Sequence, residues 1–219
     1  MQREQALAAE DRQHVEILER LRLEQPDKDW DQAELVAVPA GLTRTQMITA
    51  HRRLAYEKHL CAILREAASV EPETTEGTDP PMRAAVQRLC DTACMQCKGG
   101  CCATGGDHAY LSAETMRREL DRGVDAAALR KRYMAQVPAR AIQGGCINQT
   151  ETGCALPREQ RSELCNTYYC GPVQDLRDRL AAAPDPSCTV LVQRAHTTRR
   201  RFDPDADHDI IAIEVLAPA

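Results

Sequence analysis

A chain of 219 residues, 43% of them apolar, can bury its own core and does not depend on covalent staples. Its net charge of −5 excludes a global basic field that would draw in nucleic acid. With only seven aromatics (Trp30, Phe202 and five tyrosines) a large β-sandwich is disfavoured, so the 11 cysteines become the feature to explain.

Residues 1 to about 24 carry a broken apolar stripe, Leu7, Val15, Leu18 and Leu21, which predicts a helix stopped by Pro26. A short segment with Trp30, Leu35, Val36 and Val38 follows, closed by Pro39 and Gly41. Thr43 and Gln46 have the form of a capping box, predicting a helix from there to about Ala68. Met47, Leu54, Cys61 and Leu64 would be its inner face, which makes Cys61 a packed thiol. Residues 70–81 are acidic, rich in Thr and Pro, and read as a linker.

A helix restarts after Pro81 with Met82, Val86, Leu89 and Cys90 inward. Ser112 caps a short helix ending near Gly123, and Asp125 caps another that Pro138 stops. Residues 139–170 read as irregular and cysteine-bearing. The tail changes character: Cys188–Gln193 and Asp209–Leu216 are β-rich around a polar turn at Asp203, predicting a hairpin in which Cys188 is packed. The basic run Arg199-Arg200-Arg201 reads as a solvated strand or turn.

The first residues intersperse charges, and no later window approaches the apolar length of a membrane helix. The expectation is a cytoplasmic chain without membrane or nucleic-acid partners. Thiols are kept reduced in that compartment, so clustered cysteines point to metal or redox chemistry rather than disulfides.

Nine of the cysteines stand between residues 90 and 170. Cys94-x2-Cys97 is a spacing at which two thiolates of one turn grip one ion. Cys101 and Cys102 are adjacent. In extended backbone such neighbours point apart, which suggests two sites or one ligand beside a second thiol. Cys146, Cys154, Cys165 and Cys170 complete the set, with glycines before Cys146 and Cys154. Without Cys90 this makes eight thiols, twice the four of a closed site; one four-cysteine cluster with extra thiols is the competing count. His108 is a possible substitute ligand, though it reads first as a solvent-facing or packed histidine. Soft donors select zinc, iron–sulfur or copper(I). Cys90-x3-Cys94-x2-Cys97 also has radical-SAM spacing, but it follows a helix pattern rather than a barrel strand.

The two cysteine groups together resemble the YkgJ-type cysteine-cluster family, the zinc- or iron-chelating CxxCxxCC type. Cys94, Cys97, Cys101 and Cys102 resemble its start, and Tyr110–Glu114 its capped helix. Gly145-Cys146, Gly153-Cys154, Arg161, Cys165 and Cys170 resemble its end. Two departures stand out: the spacer Lys98-Gly99-Gly100 is one residue longer, and Ser162 stands where proline often follows the arginine. The resemblance implies metal chelation. A flagellin lysine methylase resembles the same family, which leaves an enzymatic role open, with Asp107, His108, Tyr168 and Tyr169 as the polar neighbours.

The expected architecture is mainly α with a small C-terminal antiparallel β element and an irregular Cys-rich metal-binding core. Its segments are a helical 1–69, the linker 70–81, a cysteine-cluster module 82–180 and a hairpin 185–219. The expected function is binding of zinc, iron or an iron–sulfur cluster by Cys94, Cys97, Cys101, Cys102, Cys146, Cys154, Cys165 and Cys170. The alternatives are a metal-dependent enzyme (redox or group transfer) or a thiol redox protein using Cys101 and Cys102. The sequence names no catalytic residue and no protein partner.

Overall fold

A computed structural model describes residues 2–39, 44–71, 83–97, 100–182, 186–195 and 210–216. Thr43, most of the acidic segment, Lys98, Gly99, residues 199–201, Phe202 and the turn at Asp203 lie outside the described residues. The elements begin with α1 (Gln2–Glu24), β1 (Ala33–Pro39), β2 (Thr45–Met47) and α2 (Ala50–Glu66). Then come α3 (Ala84–Cys97), α4 (Gly100–Ala103), α5 (Ala113–Asp121) and α6 (Ala126–Ala135). Short strands β3 (Arg140–Ile142), β4 (Gln149–Thr150) and β5 (Gly153–Cys154) precede α7 (Glu163–Thr167) and α8 (Gly171–Ala182). Strands β6 (Cys188–Arg194) and β7 (Ile210–Leu216) finish the order. The fold is mainly α with a small mixed sheet.

The chain forms two compact units, each built from non-consecutive stretches. The first takes Met1–Ala40, Pro81–Cys97 and Tyr169–Ala219, and the second takes Gly41–Pro80 and Lys98–Tyr168. Segments 1–69 and 82–180 therefore each contribute to both units, while 185–219 lies wholly in the first.

The first unit is layered on the sheet β1-β6-β7. β6 and β7 pair antiparallel, and β1 adds to β6 in parallel, Val36 opposite Leu191. Side chains alternate across a strand, so the sheet has two apolar faces to cover. Ala37, Val190 and Val192 pack with Ile17 and Leu21 of α1 and with Trp30. Val36, Val38 and Leu191 pack with Val86 and Leu89 of α3 and Val173, Leu176 and Leu180 of α8. Cys188 opens β6 and is buried in the α1 layer, as its position in a strand-like run predicts. Arg194 closes β6, fully buried; desolvation lowers its pKa, and the Glu10 carboxylate on α1 opposes that shift.

The second unit is a helical core. Tyr56, Leu60 and Ile63 of α2 meet Met116 of α5 and Leu129 and Tyr133 of α6, closed by Ala141, Ile147 and Leu156. β2 pairs antiparallel with β3, and β4 with β5. Capping fixes two of these helices where the sequence predicts. Ser112 Oγ accepts from Thr115 N at 3.3 Å, and Asp125 Oδ1 accepts from the amides of Ala127 and Ala128 at 2.9 and 3.0 Å.

Two helix faces differ from expectation. Residues 45–47 form β2, so α2 starts later, under a Thr49 cap whose Oγ1 accepts from Arg52 N at 3.2 Å. The inner face is Tyr56, Leu60 and Ile63; Met47 and Leu54 are 60% and 50% exposed, and Cys61 is half-buried rather than packed. In α1 the buried positions are Glu10, Ile17 and Leu21, with Val15 exposed. The stretch 139–170 is more ordered than expected, holding three short strands and α7. Among the described residues no helix is long and apolar enough to cross a membrane.

Candidate functional site

The two units divide the eight candidate cysteines between them. Cys94, Cys97 and Cys170 belong to the first unit; Cys101, Cys102, Cys146, Cys154 and Cys165 belong to the second. None of the 11 cysteines is in a disulfide.

In the first unit, Cys90, Cys94 and Cys97 lie at i, i+4 and i+7 on α3, so helix geometry puts all three on one face. That face turns into the apolar layer against α8, where Cys90, Cys97 and Cys170 are buried and Cys94 packs beside them. Desolvation, helped by the neighbouring Asp91 carboxylate, pushes the Cys90 thiol up to about 11. Cys90 is thus a core member of this stripe as well as a neighbour of the candidate ligands. At its edge the Gln87 side chain donates to the Tyr169 hydroxyl, which donates to Asp91 Oδ1 at 3.0 Å.

In the second unit, five thiols come together from four places. Cys101 and Cys102 ride on α4, Cys146 follows the turn after β3, Cys154 ends β5, and Cys165 lies on α7. Cys102 is within electrostatic reach of Cys101, Cys146 and Cys165, and Cys146 is within reach of Cys154 and Cys165. The adjacent pair does not point apart. It sits on a helical turn, where neighbours are about 100° apart rather than 180°, and the Cys102 side chain hydrogen-bonds that of Cys101. That bond is the main cause raising the Cys102 thiol.

Cys146 is the most enclosed of the five. Desolvation pushes its thiol up to about 12, against the pull of a hydrogen bond from the backbone N–H of Asn148 and the charge of Arg52. Arg52, on α2, donates from Nε to Asp107 Oδ1 at 2.5 Å and from Nη2 to the Gly145 carbonyl at 2.9 Å. Gly144, at φ +72°, makes the turn that brings the chain here, and a Cβ on Gly145 would come 2.5 Å from Gln149 Oε1. Asp107 is therefore the ion-pair partner of Arg52.

Cys165 gains a local anchor from Ser162, whose hydroxyl caps α7 by accepting from Cys165 N at 3.2 Å. Desolvation raises the Cys165 thiol, while the same Ser162 side chain and Arg161 hold it down. Cys165 Sγ also points to the Ala109 carbonyl at 4.0 Å.

The turn between α4 and α5 packs beside these sulfurs, and the sequence carries no sign of its strain. Ala109 and Tyr110 both have left-handed backbones, at φ 52° and 56°, although neither is glycine. Tyr110 donates its hydroxyl to the Cys101 carbonyl at 3.0 Å. His108 Nδ1 accepts from Tyr110 N at 3.1 Å, which fixes its proton on Nε2 in the neutral ring. His59 Nε2 donates to the Leu111 carbonyl at 2.8 Å, its ring edge-on to His108 with centroids 5.8 Å apart.

No family model, curated protein or solved structure matches this chain. Among the described residues no group of three His, Cys, Asp or Glu side chains is arranged to hold a metal ion. The donors gathered in the second unit are nonetheless of one chemical kind, soft thiolates when deprotonated, and such a set fits zinc, iron or copper(I) rather than magnesium or calcium. The sequence marks Ser162 only as a departure at its position and gives no sign that Asn148 holds Cys146; a polar residue two or three places from a cysteine is the signal that points to both roles.

Proposed function

We propose that this chain binds a thiophilic metal ion, zinc or iron, or an iron–sulfur cluster through Cys101, Cys102, Cys146, Cys154 and Cys165 in the second unit and, separately, through Cys94, Cys97 and Cys170 in the first. The reading rests on one observation: five thiols from four separate places in the second unit lie within electrostatic reach of one another. Crowded, desolvated thiols oppose one another's ionisation, and a bound cation removes that opposition while releasing their protons. The likeness to the YkgJ-type family supports the same reading through cysteine order alone. The metal would be structural or itself the cargo, in a reducing compartment such as the cytoplasm.

A second reading, a thiol redox protein, is favoured by the hydrogen bond between the Cys101 and Cys102 side chains. Anaerobic purification followed by metal and acid-labile sulfide analysis and a visible spectrum separates the two. Brown protein with sulfide supports a cluster, and colourless protein with stoichiometric zinc supports a zinc site. A folded, metal-free protein that takes up neither zinc nor iron would sink the metal reading and leave the redox one.

A further inference from the structure

β7 stands at the edge of the sheet β1-β6-β7, yet its sequence is that of an inner strand. Five of its seven residues are large aliphatics, Ile210, Ile211, Ile213, Val215 and Leu216, and Glu214 is its single charge. A near-continuous apolar run suits a strand covered on both faces inside a sheet. Here the cover is incomplete. Ile210, Ile213 and Val215 lean on the α1 layer and Leu216 on the α3–α8 layer, each half-buried, and Ile211 is 59% exposed. In the neighbouring β6, Val190, Leu191 and Val192 are fully buried.

The backbone of β7 has the same surplus. In an antiparallel pair every second residue turns its N–H and C=O away from the neighbouring strand. β7 therefore offers an outward row that no described strand meets. The opposite edge of the sheet is treated differently. Arg179 donates from Nη2 to the Leu35 carbonyl at 3.2 Å and pairs with Glu34, and Pro39 ends β1 without an N–H. Charges and prolines of this kind blunt an edge against further pairing. β7 carries only a register shift at its start, beside Arg194, which leaves residues 212–216 regular.

A strand of matching apolar content is what would cover this edge. The longest stretches outside the described residues, 72–82 and 196–209, hold only Met82 and Phe202 as large apolar side chains and lack that content. β7 itself has it, and two copies related by a two-fold axis present the same surface to each other. Pairing centred on Ile213 sets each Glu214 across from the other copy's Ala212, so the two carboxylates are not directly opposed. We infer that β7 is a self-association edge, at which two copies of this chain pair β7 with β7, antiparallel and centred on Ile213, into one continuous sheet. The inference is independent of what the thiols bind.

The test uses the full chain and sedimentation equilibrium. Wild type should be a dimer. Ala212→Glu should weaken its association about tenfold or more, because each new carboxylate faces the other copy's Glu214. Ala212 and Glu214 are both exposed, so the variant should keep its circular dichroism. Adding Glu214→Lys should restore the dimer by turning both repulsions into attractions. A wild type that stays monomeric at about 100 μM overturns the inference, as does a dimer that neither change affects. Should Ala212→Glu fail to fold, NMR of wild type mixed from isotope-labelled and unlabelled copies decides. Contacts between the Hα protons of the two copies are expected along residues 212–214, and their absence overturns the inference.

Discussion

Arg52 Nε donates to Asp107 Oδ1 at 2.5 Å while its Nη2 donates to the Gly145 carbonyl at 2.9 Å, so one guanidinium on α2 holds the turn after α4 and the residue before Cys146. Arg52→Ala should cost about 2 kcal/mol of stability, because both bonds are charge-assisted and the side chain is largely buried. Arg52→Lys should recover only part of this, since an ammonium lacks the planar fork. Urea melts of the three proteins check the ranking.

Glu119 is 2% exposed and receives Arg122 Nη1 and Arg132 Nη2, each at 2.5 Å, on its two oxygens. Glu119→Ala should cost about 3 kcal/mol, toward the low end for a broken buried pair, because both arginines can turn into water. Glu119→Gln should cost less by keeping one acceptor. Thermal unfolding in low and high salt checks this, with the loss persisting in high salt.

The left-handed pair in the α4–α5 turn should be relieved by glycine. Ala109→Gly removes a steric penalty of about 1 kcal/mol and pays back part of it in unfolded-chain entropy. The expected outcome is a net gain of about 0.5 kcal/mol in a denaturant melt. A β-branched Ala109→Val should lose stability instead.

The buried Cys90 thiol makes the metal-free protein sensitive to alkali. Its folded value of about 11 lies above the unfolded thiol value of about 8.5, so the folded state retains the proton longer. The stabilisation is complete below the unfolded value and is lost as pH rises toward 11. The slope approaches about 1.4 kcal/mol per pH unit. Cys90→Ala should reduce it, leaving the part due to Cys102, Cys146, Cys165 and Cys188, which shift in the same direction. Melts at pH 8, 9.5 and 10.5 check this, and alkylation mapped at pH 8 should reach exposed Cys154 well before Cys90 or Cys188.

What was legible in the sequence was short-range. The caps at Ser112 and Asp125 act over three residues, and the tail strands carry their own β-rich pattern, so both could be read directly. The face of α2 could not be: Thr43 and Gln46 imitate a cap, but residues 45–47 find a strand partner at 140–142, far along the chain. The parallel partnership of β1 with β6 is hidden for the same reason. Cysteine order identifies a ligand-like set. It does not show that Cys97 and Cys101, four positions apart, fall in different units. Nor does composition foretell left-handed backbone at Ala109 and Tyr110, since neither is glycine or asparagine.

The pairing of Val36 with Leu191 sets a schedule for the growing chain. The residues of the second unit end at Tyr168, so all of them have been made while the remainder is still to come. The first cannot close its sheet until Arg194 has emerged, and β1 must wait until then with an unpaired apolar edge. Long-range parallel pairing is slow because loop closure precedes any reward. The vulnerable interval for this protein is therefore the one between the emergence of β1 and that of β6, when β1 is exposed and its partner has not yet arrived, and that is when a holding chaperone would matter most.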